Sequence, residues 1–415
     1  MNSPVVSARF ADPVEPDVFL TRDPRAGDRR TLAVLSRHSE GTAVQTGAEM
    51  RQSALVDALR RTGPVDVLSI NALRAAVSCA RRCPPCAAML MTTPEGTLPV
   101  PHNWYYCRRT ADQVRQFLDA HPYPVVVTSH IWLSQYLPAI RAAGTARLVV
   151  DLHNAEADLQ DELSAHPWWP RLRDPEVPEQ VGVRFVEAGM VAAADVVTVP
   201  SEADRERLRR RYAPTAPIVV LPNAVPVAAG SRPVVARRPV SCFFLGALDY
   251  FPNTLAALEI VTGIGPAIAA AAPGLPVVVA GRRPVPVLAE AAAGGVVDLV
   301  ADPPDAEPFF TGSLLIVPLR NGGGTRLKIL QAFAAGCPVV STAKGMEGID
   351  ALDGVHYLAA ETSGEFAAAV AAVLADPASD LRRRQAAWDL VRSRYSRDAL
   401  ADLVVSTAEL SAVER

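Results

Sequence analysis

The chain has 415 residues, length for two domains, and its 49% hydrophobic and 20% charged residues exclude disorder as the overall state. With 41 basic against 44 acidic side chains the net charge is −3, so no basic excess exists to attract a nucleic-acid backbone. Arg9, Asp12, Glu15 and Asp17 stand where a signal peptide needs an apolar core, and a soluble, cytoplasmic protein is expected.

Residues 1–30 are rich in Pro, Asp and Arg, lack an apolar period and read as a flexible arm. From Thr31 short apolar runs alternate with helical stretches. Residues 32–35 and 65–70 read as strands, separated by a loop holding Gly41 and Gly47 and a helix over 48–61. Further strands are predicted at 125–127, 148–150 and 196–199. The proline-rich segment 222–239 reads as a linker. A second series of strands follows at 240–245, 277–280, 297–300, 314–317 and 338–341, and the chain ends in one or two amphipathic helices from Arg382. Residues 260–281 carry no charge over a length that could span a bilayer. Pro266, Pro273 and Pro276 instead divide them into an Ala-rich helix, a break at Pro273-Gly274 and a buried strand, so no transmembrane segment is expected. The pattern is α/β: two Rossmann-like domains with parallel sheets, ligands being expected in a cleft at the carboxyl ends of the strands.

The sharpest motif is GGGTRLKIL at 322–330, between an apolar strand and a helix. Glycines there let the backbone approach a ligand, and the helix N-terminus offers free N–H groups to phosphate oxygens. Arg326 and Lys328 oppose the macrodipole of that first turn unless they meet an anion, which makes a diphosphate a natural partner. The alternative is a Gly-rich turn with solvated charges. Another strand then runs into KGMEG at 344–348.

These segments, with SHIWLSQYL, VVDLHN, ADVVTVPSEAD, VVLPNAV, FLGALDYFPN and AAGCPVVST in that order, resemble the family 4 glycosyltransferases of the GT-B fold over residues 31–400. The resemblance implies an acceptor-binding Rossmann-like domain at 31–225, a nucleotide-sugar domain at 226–385 and a C-terminal helix at 386–415 packing back on the first. It implies transfer of a sugar from a nucleotide-diphosphate sugar with retention, and no metal or other cofactor. Arg326 and Lys328 would hold the diphosphate, and Gly246, Asn253, Gly322, Gly323, Gly324, Thr325, Gln331, Gly345 and Glu347 would bind the donor. Many members carry two glutamates eight positions apart; here those positions are Gly323 and Gln331. Many also carry cations after the first donor-half strand, where this chain has none, the charge having moved to Arg326 and Lys328. His130 would face the reacting sugar. Gly47, Arg51, His153, Asn154 and Glu156 would border the acceptor, with structural roles as the alternative for each.

The acceptor is expected to be a small molecule, in natural-product biosynthesis, with Trp168-Trp169, Trp104-Tyr105-Tyr106 and the region 72–110 setting specificity. A cell-envelope or lipid-linked glycan enzyme, a nucleotide-sugar epimerase or hydrolase, and a binding module without catalysis are the alternatives. Cys79, Cys83 and Cys86 have the spacing of radical S-adenosylmethionine enzymes, but the glycine-rich partner motif of that class is missing. Loose thiols are the reading kept; a structural zinc with His102 or Cys107 as fourth ligand is the alternative. Monomer and homodimer both remain open.

Overall fold

The computed structural model describes residues 18–25, 30–37, 46–71, 108–144, 146–172, 183–227, 238–407 and 410. Residues 1–17 of the expected arm, most of the linker, the loop at 38–45, the cysteine cluster (Cys79, Cys83, Cys86, Cys107), His102 and Trp104 to Tyr106 lie outside them. The chain divides into two units. Met1–Gln160, Pro175–Leu221 and Leu400–Arg415 form one, and Asp161–Asp174 with Pro222–Ala399 form the other.

In the first unit, valine-rich runs bounded by polar and proline residues form seven strands: β1 (Val18–Thr21), β2 (Thr31–Arg37), β3 (Val65–Asn71), β4 (Val125–Ser129), β5 (Arg147–Asp151), β6 (Val196–Val199) and β7 (Ile218–Val220). They lie in the order β1-β3-β2-β4-β5-β6-β7. All pairs are parallel except β1 with β3. The burial pattern of β4 and β6 is continuous, as strands covered on both faces require. β1 lies within the stretch read as an arm. Val18 and Leu20 face the core while Phe19 and Thr21 do not, an alternation over four residues that is too short to register as a period.

The second unit holds β8 (Cys242–Ala247), β9 (Val277–Arg282), β10 (Asp298–Ala301), β11 (Leu314–Val317), β12 (Val339–Ser341) and β13 (Leu358–Ala359) in the order β10-β9-β8-β11-β12-β13, all parallel. The uncharged stretch resolves as expected into helix and strand. Helix Phe251–Glu259 passes through a π turn, Ile260–Ile264, into helix Gly265–Ala271. The wider turn falls just before Pro266, whose ring would otherwise meet the carbonyl one turn back. By length and composition alone Phe251–Ala271 could cross a membrane. Its apolar residues Ala256, Ala257, Ile260, Ile264 and Ile268 are buried within the unit.

Among its parallel strands each sheet has one point where the strand order reverses: between β2 and β4 in the first, and between β8 and β11 in the second. Helices leave such neighbours toward opposite sides, which opens a crevice at their carboxyl ends. The candidate site residues beyond the strands of these sheets follow β4, β5, β8, β11 and β12, with Gly47 and Arg51 on the helix after β2.

Candidate active site

In the second unit, Gly246 is the penultimate residue of β8 and Asn253 lies in the first turn of helix Phe251–Glu259. Asn253 Nδ2 donates to the Ala247 carbonyl at 3.0 Å, which fixes its amide oxygen toward Lys328; Lys328 Nζ donates to it at 2.9 Å. The ammonium also lies 4.0 Å from the centre of the Phe244 ring. Burial, with a smaller contribution from the Arg326 charge, lowers Lys328 to about 7.

The loop after β11 turns on Gly322 and Gly324, at φ 122° and 65°. At that φ a side chain at Gly322 would be strained, and its Cβ would come within 3.1 Å of the Arg326 guanidinium. Arg326, 8% exposed, is the N-cap of helix Leu327–Ala334 without making a side-chain cap bond. Its guanidinium folds back onto the carbonyls of Gly323, Gly324 and Lys344. Thr325 Oγ1 accepts from Asn223 Nδ2 at 2.6 Å, and Gln331 is partly buried one turn along the helix.

The short helix Ala343–Met346 is capped by Thr342, whose Oγ1 accepts the Gly345 N–H at 2.9 Å. Glu347 pairs with Lys344 at 3.2 Å. Within the same unit Glu162 accepts from Lys344 at 3.0 Å and from the Gly322 N–H at 3.2 Å. Lys344 opens the KGMEG motif, but Glu162 was not singled out from the sequence, because long-range pairing leaves no spacing signal. Trp169 packs edge-on against Phe251 at 5.0 Å, while Trp168 is 45% exposed.

Two glycines of this crevice separate packing from function. A Cβ on Gly281 would stand 1.8 Å from the Gly246 carbonyl oxygen, a backbone atom fixed by the β8–β9 ladder. Gly281→Ala is expected to cost more than about 3 kcal/mol or to prevent folding. A Cβ on Gly246 would meet side-chain tips, Asn253 Nδ2 at 2.8 Å and Lys328 Nζ at 3.1 Å. Gly246→Ala is expected to fold and to lose about tenfold in turnover by displacing Lys328. Thermal melts beside rate assays would contradict the assignment if the two variants behaved alike.

In the first unit, Gly47 opens helix Gly47–Leu59 behind a capping box of Thr46 and Glu49. Arg51 on this helix is 5% exposed and reaches Asp151 at the end of β5, with Nε at 3.1 Å and a terminal nitrogen at 2.5 Å, and the Leu221 carbonyl at 2.9 Å. Asp151 further accepts from Thr198 Oγ1 at 2.7 Å and Ser129 Oγ at 2.9 Å. Burial alone would raise the Asp151 carboxyl, but Arg51 and His153 hold it well below the usual carboxylate range.

His153 Nε2 lies 2.9 Å from Ser129 Oγ, and burial keeps the imidazole below the usual histidine range. His130 follows β4 at φ 84°, strained for a residue other than glycine, with its ring 4.5 Å from that of His153 in an edge contact. Asn154 Nδ2 donates to Glu156 at 2.7 Å. The Glu156 N–H is accepted by the buried Glu187 at 2.6 Å, whose carboxyl burial pushes up to about 7. The structure thus brings Arg51, His130 and His153 into one cluster with Asp151 and Ser129, while Asn154 and Glu156 pair with each other on the segment that follows. Among the described residues no group of three His, Cys, Asp or Glu side chains is placed to hold a metal.

Two Rossmann-like units, each with polar groups at its reversal point and one with a cationic glycine loop, define a GT-B glycosyltransferase. Residues 46–224 match the Glycosyl transferase 4-like domain and residues 239–376 match Glycosyl transferases group 1. The chain belongs to the GT-B glycosyltransferases of the family 4 type.

Solved structures share the fold at low identity. A sucrose-phosphate synthase from Thermosynechococcus elongatus aligns with TM-score 0.65 and 17% identity over 91% of this chain and 98% of its own. A UDP-forming α,α-trehalose-phosphate synthase from Burkholderia vietnamiensis gives 0.60 and 16% over 91% and 96%. Anabaena HepE in complex with UDP gives 0.58 and 13% over 90% and 98%. No curated protein matches in sequence.

Proposed function

We propose that this enzyme moves a glycosyl group from a nucleotide-diphosphate sugar to a hydroxyl, amine or thiol of a small-molecule acceptor, with retention at the anomeric carbon and without a metal, in the cytoplasm. The observation that carries the reading is the pair Arg326 and Lys328 at the β8–β11 reversal point, with Lys328 held beside Gly246 and Asn253. A partly buried ammonium kept near 7 is costly in the absence of an anion and favourable in its presence. Such a group suits the charge that develops on a leaving diphosphate.

In this reading Gly322 to Gly324 admit the phosphates. Asn253, Thr325, Gln331, Gly345 and Glu347 line the donor, and His130 meets the sugar. Arg51, His153, Asn154 and Glu156 belong to the acceptor side, Arg51 acting through Asp151. Anabaena HepE was solved with UDP and the trehalose-phosphate synthase is UDP-forming, so UDP is the first diphosphate to test.

Thermal melts of the protein with UDP, GDP, ADP and TDP, each with and without EDTA, are the direct test. One diphosphate at 100 times its dissociation constant is expected to add about 2.7 kcal/mol whether or not chelator is present. No shift with any nucleotide, together with a lower melting point in EDTA, would overturn the reading.

A further inference from the structure

Two oxygens of the buried cluster in the first unit fix a proton. Ser129 Oγ and Asp151 Oδ2 are 2.9 Å apart, a distance that requires a hydrogen between them. Asp151 is held ionised by Arg51, so the hydrogen is the serine's. Ser129 has one hydrogen to give, and His153 Nε2 lies 2.9 Å from its oxygen. The imidazole must therefore be the donor in that contact, with its proton on Nε2 and a lone pair on Nδ1. Thr198 and both Arg51 nitrogens donate to the same carboxylate, and His153 Nε2 lies 3.5 Å from its Oδ2, which also places the imidazole proton on Nε2.

We infer that His153 is an acceptor-binding residue that takes the hydrogen bond of the acceptor's nucleophilic O–H or N–H on Nδ1, with Ser129 and Asp151 as positioning residues that set its tautomer. This rests on the glycosyltransferase reading above and adds to it the atom that meets the acceptor. A protonated imidazole carries hydrogen on both nitrogens and cannot accept, so binding of the acceptor requires neutral His153. The groups facing the ring are Asp151 on its own segment, Arg51 from helix Gly47–Leu59, and Ser129 and His130 from the end of β4. Burial and the Arg51 charge oppose protonation, while Asp151, 3.5 Å from Nε2, favours it. Ser129 Oγ lies 2.9 Å from both groups and takes part of the carboxylate's hydrogen-bonding capacity.

The first measurement needs no substrate. Nitrogen-15 spectra of the full-length wild-type protein at pH 8, with His153 assigned by its loss in His153→Gln, are expected to give a protonated Nε2 and an unprotonated Nδ1. The opposite assignment overturns the inference. The second is the pH profile of nucleotide-sugar turnover with water as acceptor. Ser129→Ala removes the hydroxyl that shares both groups and leaves the imidazole to pair with Asp151 alone, which favours the charged ring, and the acid limb is expected to move up by about one pH unit. His153→Gln, whose amide offers both a donor and an acceptor without titrating, is expected to flatten that limb. A uniform loss of rate in Ser129→Ala with the limb unmoved would mean that the serine is structural only. Thermal shifts with UDP are read on the same samples. If they persist in wild type and Ser129→Ala while the limb stays put, this inference fails alone. If wild type gives no shift with any diphosphate, the glycosyltransferase assignment of the site fails first.

Discussion

Lys328→Met is expected to lower donor affinity by at least a hundredfold while leaving the ligand-free protein as stable as wild type, or about 1 kcal/mol more so. The two effects have one cause. The ammonium is lowered to about 7 by burial and by the Arg326 charge, so the folded chain without ligand carries it at a cost. Asn253 and the Phe244 ring offset only part of that cost.

The pH dependence follows with a definite sign. A lysine whose folded pKa lies below its unfolded value contributes stability that is present above the unfolded value, 10.5, and is lost as pH falls through about 7. Ligand-free wild type should therefore gain stability from pH 7 toward 10, and the methionine variant should lack that gain. Donor binding runs the other way, because a diphosphate restores the charge. Affinity for the nucleotide sugar is expected to fall roughly tenfold per pH unit above 7, with one proton taken up per molecule bound. A nucleotide sugar is the right probe, since the terminal phosphate of a free diphosphate titrates in nearly the same range. Calorimetry in two buffers of different ionisation enthalpy reads that proton directly. Donor affinity unchanged in Lys328→Met, or flat between pH 7 and 9, would remove Lys328 from the donor site.

Much of this fold is legible in the sequence, for reasons that differ by element. The strands at 125–129 and 196–199 are buried on both faces, so they read as unbroken apolar runs bounded by polar residues. β1, β7 and β13 do not, because two to four residues carry no period and their pairing partners supply the order. The GGGTRLKIL loop was visible because glycine and cation both stand where local physics disfavours them. The pairing of Lys344 in KGMEG with Glu162 was not, since a salt bridge across 182 positions is a product of the fold.

Arg51 shows the same limit from the other side. Its place at the end of the His38–Arg51 loop suggested that it borders the acceptor; its guanidinium pairs with Asp151 and the Leu221 carbonyl, contacts the sequence does not show. Ser129 opens the SHIWLSQYL segment, yet nothing in the sequence assigns it a role. Its importance comes only from the two neighbours that the sheet brings within 2.9 Å.

Asp151→Ala is expected to be the most destabilising single change in the first unit, by about 3–5 kcal/mol. Asp151 is fully buried and accepts from four side-chain donors on three partners, Arg51, Thr198 and Ser129. Deleting it strands the guanidinium of a residue that is 5% exposed and orphans two hydroxyls inside the sheet. The reverse deletion, Arg51→Met, leaves a buried carboxylate whose pKa must then rise, and is expected to cost nearly as much. Replacing both, Arg51→Met with Asp151→Leu, removes the unpaired charge in either direction. The double variant should be more stable than the sum of the singles by about 2–3 kcal/mol.

Acid sensitivity supplies the second reading of the same pair. An aspartate with a depressed folded pKa contributes stability present above its unfolded value, 3.8, and lost as pH falls through the lower folded value. Wild type should lose stability below about pH 4 through this group, and Asp151→Asn should lack that component. Denaturant melts of the single and double variants between pH 3 and 8 test both. Additive losses, or single substitutions costing under about 1 kcal/mol, would mean the pair is more solvated than its burial indicates. Ser129 and His153 would then lose the fixed carboxylate on which the histidine's tautomer depends.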